Sequence, residues 1–439
     1  MKLPRLLTPI LRRRNQLILF IVILGVGIAL YTLSLRNSAT ENTMRSSRTD
    51  TLITDAQFKL TNDSDNPSRY VSLCELYIQK IRETADTAYY SKCDELLDKA
   101  NSLDPNNAQV LSAQASVAYG KHSFLEGLEL SKKAQQINPS QISYYGLIAD
   151  GQLELGQYEA AVASVQTMVS KKPDLSSFNR VAYIREIYGD IEGAKTALQS
   201  AISAGSSFSE NIAFSQVELA KLFARDDLAK AESIYRQALQ TYPNHSPSLE
   251  GLGKLAFARK NYQEAEKYFK QAAEYLPLAQ YSTALADTYD AMGDQGKADQ
   301  QYYLAELAFN SSTNGGVNND YELSVFYSQQ NKENQKSLEL AKKALTSRPN
   351  MFSYDALAWS FYRAGNYQEA QAHSNKALVQ GKNVPVVIYH AGMIAEKLNQ
   401  KEQAKSLLRK AMKLDEYFLE SHFSLLDREE AHNALERLH

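Results

Sequence analysis

A net charge is almost missing from this sequence: 48 basic and 50 acidic side chains leave 439 residues at −2. Without a global field there is no electrostatic grip on a phosphate backbone, which speaks against a nucleic-acid partner. Cysteine is nearly missing too. Two residues cannot build a disulfide framework or a four-thiolate zinc site. The seven histidines fall in separate stretches without metal-ligand spacing. No P-loop, no G-x-G-x-x-G turn, no His-Glu-x-x-His and no G-x-S-x-G is present. The expectation is a protein that is not an enzyme, takes no cofactor and has no evident small-molecule substrate. Strand-like alternation is lacking as well, so everything after residue 66 reads as helix broken at Pro-Asn, Pro-Ser or Gly.

The first forty residues stand apart. Residues 1–16 carry Lys2, Arg5, Arg12, Arg13 and Arg14 and no acid, and Leu17 to Leu35 then runs 19 residues without a charge. At about 1.5 Å per residue this helix would cover nearly 30 Å, the thickness of a bilayer core. A cleaved signal peptide is the alternative, but no small-x-small cleavage pattern follows near "LRNSAT". The expectation is one membrane anchor over 17–35. Five positive charges precede it and Arg36, Arg45 and Arg48 follow, which places the N-terminus in the cytoplasm and the rest outside. Residues 36–66, rich in Ser, Thr, Asn and Asp, read as a polar linker.

The remainder is periodic. Pro105, Pro139 and Pro173 are spaced by 34 residues, as are Pro243 and Pro277, and Pro349 follows. Tyr-Gln-Glu-Ala occurs at Tyr262 and again at Tyr367, each time with an alanine seven residues after its own, Ala272 and Ala377. Within 246–277, Leu249, Leu252 and Gly253 sit on a first helix, Tyr262, Ala265, Phe269 and Ala272 on a second, and Pro277 ends it. Small residues let two antiparallel helices approach, and large ones fill the space against the next hairpin. One hairpin cannot bury its own apolar face, so such units must stack.

With those residues the chain resembles the tetratricopeptide repeat family. The resemblance implies an all-α fold, a right-handed α-solenoid of about ten helical hairpins behind one transmembrane helix. It divides the chain into an N-terminal array at 67–308, a Gly/Asn-rich break at 309–319, a C-terminal array at 320–416 and a capping helix at 417–439. Hairpins start near Pro67, Ala108, Ile142, Leu175, Ala213, Ser246, Ala279, Asn318, Met351 and Pro385, and the fifth has a turn one residue short at "ARDDL".

The family lines its inner wall with the second, fifth, ninth and twelfth or thirteenth positions of each repeat. Carried over, these are Phe352, Asp355, Trp359, Tyr362 and Arg363 in the ninth repeat, and Val386, Tyr389, Met393 and Glu396 in the tenth. In the fourth they include Asn179, Tyr183 and Glu186. Aromatic and arginine side chains of this kind suit a peptide-binding groove; the alternative is that Trp359 and its neighbours pack the junction between repeats nine and ten. In the same register Cys74 and Cys93 occupy the facing small slots of the first hairpin, seven residues longer than standard, where a disulfide is possible in an oxidising compartment. The expected function is a membrane-anchored scaffold or adaptor with protein or peptide partners, its array extracytoplasmic. A cytoplasmic array serving as an assembly factor and an accessory subunit of an envelope enzyme are the alternatives.

Overall fold

The computed structural model describes residues 48–419 and 424–438, so the membrane span expected at 17–35 lies outside the described residues. Among the described residues no helix is long and apolar enough to cross a membrane. The chain divides into two units at Asn62. Of the first, a single helix is described, Arg48–Asn62, inside the expected linker. The low hydrophobicity of that stretch hid the helical spacing of Leu52, Ile53, Ala56 and Leu60.

The second unit is built of helices, and ten hairpins follow one another in it. They are Pro67–Thr84 with Ala88–Leu103, Ala108–Gly120 with Phe124–Ile137, and Ser143–Glu154 with Tyr158–Lys171. Next come Leu175–Ile187 with Ile191–Ala204, Ser209–Ala224 with Leu228–Thr241, and Ser246–Ala258 with Tyr262–Tyr275. Then follow Ala279–Ala291 with Gln295–Asn314 and Asp320–Gln329 with Asn334–Ser347. Met351–Arg363 with Tyr367–Gly381 and Pro385–Lys397 with Lys401–Leu414 complete the array, and a last helix spans Asp427–Arg437. Six of the second helices end two residues before Pro105, Pro139, Pro173, Pro243, Pro277 and Pro349, because the residue before a proline avoids helical geometry. Tyr262 and Tyr367 each open a second helix, which is why the same four residues recur there.

Inside a hairpin the small slots are tight. Ala265, Phe269 and Ala272 are fully buried, and a Cβ on Gly253 would come within 2.6 Å of the Phe269 ring. Eight of the ten turns share one closure: Asn261 N–H donates to Ala256 O at 2.9 Å around Lys260, whose φ is 59°, and Asn366 donates to Phe361 O at 2.9 Å around Gly365. The fifth turn closes one residue earlier, from Asp227 N–H to Phe223 O, as expected from "ARDDL".

Three boundaries differ from expectation. The fifth hairpin opens at Ser209, four residues before Ala213. The Gly/Asn-rich break is helical as far as Asn314, since Ser, Thr and Asn are weak helix formers rather than breakers and only Gly315 and Gly316 stop the helix. The core also continues across it, with Tyr302 and Ala305 in one cluster with Leu323 and Phe326. The capping helix starts at Asp427, ten residues later than expected, because Asp415 turns the backbone by accepting N–H bonds from Tyr417, Phe418 and Leu419.

The first hairpin has helices of 18 and 16 residues against 13 and 14 in the sixth, five and two residues longer. Cys74 and Cys93 are both fully buried with their α-carbons 4.9 Å apart, and the structure pairs them as a disulfide. We expect protein taken from its native compartment to show no reactive thiol, and reduction to cost about 2–4 kcal/mol of stability. Two alkylatable thiols in unreduced protein would reject the bond there.

The array also winds back on itself. Asn318 N–H donates to Lys121 O at 3.0 Å and Asn318 O meets His122 Nδ1 at 2.8 Å. One hairpin on, Asn350 donates to Glu154 O at 3.1 Å, and Met351 N–H to the Tyr158 hydroxyl at 3.0 Å. Then Asn383 donates to Tyr188 O at 2.9 Å, and Glu416 N–H to Arg225 O at 2.9 Å. Each turn of hairpins two to five therefore bonds the linker five hairpins ahead. Apolar packing follows the same rule, since one cluster joins Leu153, Tyr158 and Ile187 to Trp359, Val386 and Met393.

Candidate functional site: the inner wall and its occupant

The first helix of the ninth hairpin is started by Asn350, whose side chain caps Ser353 N–H at 3.0 Å. The next first helix is started by Pro385 at a position that needs no donor. These two helices bring the expected wall residues together. Trp359 stacks on Tyr362 with ring centroids 4.5 Å apart and on His390 at 4.0 Å, and the Arg363 guanidinium lies 4.5 Å above it. His390 Nδ1 bonds Asp355 at 2.8 Å, and Tyr389 packs on Phe418.

The wall is not open. Trp359 is 1% exposed and Tyr389 and Met393 are wholly buried, so the expected groove is covered at its centre. The cover is the terminal helix Asp427–Arg437. Its Glu430 meets Arg363 at 3.5 Å and accepts from the Tyr389 hydroxyl at 3.2 Å. Its Arg437 donates twice to Glu396, at 2.7 and 3.0 Å. Ala431, Ala434 and Leu438 complete the contact within the cluster that holds Trp359. Of the nine wall residues expected in the ninth and tenth repeats, Phe352 alone lines the open cavity described next.

That cavity, of about 130 Å³, lies between successive turns of the array. Tyr183, Glu186, Glu218, Lys221 and Arg225 form one side, and Phe352, Asn383 and Pro385 the other. Its charges are paired: Lys221 Nζ lies 2.7 Å from Glu218 and Arg225 pairs with Glu186. Burial works against the Lys221 ammonium, and the carboxylates Glu218, Glu250 and Glu186 outweigh it and raise its pKa. Tyr183 is 41% exposed and offers an aromatic face. Tyr183 and Glu186 are where the repeat register put them. The ninth and thirteenth positions counted from Ala213 reach Lys221 and Arg225, so the signal for those was in the sequence.

Three buried carboxylates hold the chain before and at the terminal helix. Asp287 accepts from Leu425 N–H and the Ser424 hydroxyl, both at 2.9 Å, and from Tyr302 at 2.7 Å. Asp427 accepts from Ser424 N–H at 2.8 Å, and Asp415 caps the segment that follows it. Burial raises the pKa of all three. For Asp427 burial, with Glu430 adding to it and His390 and Arg363 opposing, lifts the value from 3.8 to about 7. A folded-state pKa above the unfolded one gives stability that is fully present below the unfolded value and lost as pH rises through the folded one. We therefore expect Asp427→Asn to lose less melting temperature than wild type between about pH 5.5 and about pH 8, while His245, whose pKa burial lowers to about 4, weakens both proteins alike at the acid end. Identical pH profiles for the two proteins in thermal melts reject this role of Asp427.

Family models for the tetratricopeptide repeat match residues 222–288 and 386–418. No curated protein matches the chain. Among solved structures, yeast Tom70 is similar at 17% identity over 93% of this chain and 96% of its own, with a TM-score of 0.37. The Cut9 and Hcn1 hetero-tetramer of APC/C is similar at 12% identity over 92% and 98%, TM-score 0.36. The type IV pilus biogenesis factor PilW is similar at 13% identity over 46% and 94%, TM-score 0.39. Likenesses this distant carry neither a partner nor a process across. The matched repeats, the hairpins that surround them and the shared turn closure agree on one assignment. The chain is a tetratricopeptide repeat protein.

Proposed function

We propose that this protein is a scaffold that binds protein segments, held at a membrane by residues 17–35 with its array outside the cytoplasm. The charged, aromatic-edged cavity between Tyr183 and Phe352 carries the binding part of this reading, because it is a concave site offering both signs of charge beside an exposed ring. The uncharged run at 17–35 and the five cations before it support the tether and its orientation. Tethering concentrates captured partners at the envelope without any additional contact.

A photo-crosslinking amino acid at Tyr183 tests the binding part. The expected result is a covalent adduct with a discrete partner that disappears in Lys221→Glu; an adduct-free protein in cells rejects it. C-terminal reporter fusions test the topology, and activity of a cytoplasm-only reporter rejects the extracytoplasmic array.

A further inference from the structure

The terminal helix occupies a place that the repeat itself does not assign. Continuing the spacing from Pro385 would start another first helix near residue 419, stacked beside the tenth hairpin. Instead residues 415–419 are non-helical, and the helix that follows starts at Asp427 and bonds inner-wall residues of two hairpins. Its contacts read like those of a bound peptide: Glu430 between Arg363 and Tyr389, Arg437 on both oxygens of Glu396, and Ala431, Ala434 and Leu438 on the apolar floor. Upstream, Ser424 and Leu425 bond Asp287 on the seventh hairpin.

This helix has 11 residues and a strongly polar composition, so it cannot stand without the wall beneath it. Its ion pairs are open on the helix side, Glu430 at 33% and Arg437 at 51% over Arg363 and Glu396 at 14% and 9%, and its apolar contact is limited to Ala431, Ala434 and Leu438. The contact is therefore specific in pattern and light in strength. An occupant of that kind holds its place through tethering, which keeps its local concentration high.

We propose that residues 424–438 are a built-in ligand of the wall formed by hairpins nine and ten, an autoinhibitory contact. The partner that replaces them is a helix of the same chemistry: carboxylates in its first turn, alanine and leucine along one face, an arginine in its last turn. This rests on the reading that the array binds protein segments, but at a different place from the Tyr183 cavity.

The test uses the full-length chain and a fluorescent peptide of the natural sequence Ser424–Leu438, followed by anisotropy. Glu430→Lys together with Arg437→Glu in the chain leaves every wall residue intact and weakens only the tethered competitor. The peptide is expected to bind this variant about tenfold more tightly than wild type, or better. A peptide carrying the same two changes is expected to bind neither. Equal affinity for both proteins, or no binding to the folded variant, overturns the proposal. So does loss of the helical circular dichroism signal in the variant, which would make the segment part of the core. Peptide binding without any Tyr183 adduct would sink the partner-binding cavity and leave the built-in ligand standing.

Discussion

Replacing Trp359 by alanine is expected to lower the unfolding free energy by about 3–5 kcal/mol, the usual cost of emptying a buried indole site. The ring is 1% exposed and sandwiched between Tyr362 and His390, with Arg363 above, so truncation removes several stacked contacts and leaves a void. Denaturant titration at constant slope measures it. Crosslinking at Tyr183 should survive in the fraction that stays folded, because Trp359 does not line that cavity. A variant of wild-type stability that has lost its partner would return Trp359 to an open groove.

The second large effect is expected at Arg348. Its guanidinium pairs with Glu154 at 2.6 Å and Glu322 at 3.4 Å and lies over the rings of Phe124 and Tyr321, touching the second, third and eighth hairpins at once. Arg348→Ala leaves two half-buried carboxylates without their shared cation, and about 2–4 kcal/mol should be lost, less than for a fully dry pair. Arg348→Lys should recover only part, because an ammonium cannot reach both acids and cover both rings. Removing Glu154 as well should cost less than the sum of the two single changes. Strict additivity in the chemical melts would show that the pair does not couple the turns.

The hairpins were legible because local physics repeats. A proline ends the helix before it and is accepted only in the first turn of the next, and Ala265 and Gly253 mark close approach whatever their neighbours are. Tyr183 and Glu186, assigned to the wall by the same register, line a cavity. What covers the wall was not legible. Asp287 meets Leu425, and Glu154 meets Arg348, across more than a hundred residues that carry no shared period. "DREEAHNALER" reads as a solvated helix because its buried apolar side is only two alanines wide, Ala431 and Ala434, and its third buried residue, Asp427, is a carboxylate. Nothing local distinguishes that stripe from a surface.

The bonds between successive turns of the array also govern how the chain is made. An ordinary stack of hairpins adds one unit at a time, each completed by its immediate neighbour. Here Tyr158 and Tyr188 wait for Met351 and Asn383, 193 and 195 residues later. At about 5–20 residues per second of synthesis, the third and fourth hairpins stay uncovered for about 10–40 s after they emerge. Through that interval their faces are open to other chains, so the yield of this protein depends on what shields a growing polypeptide as well as on its final stability.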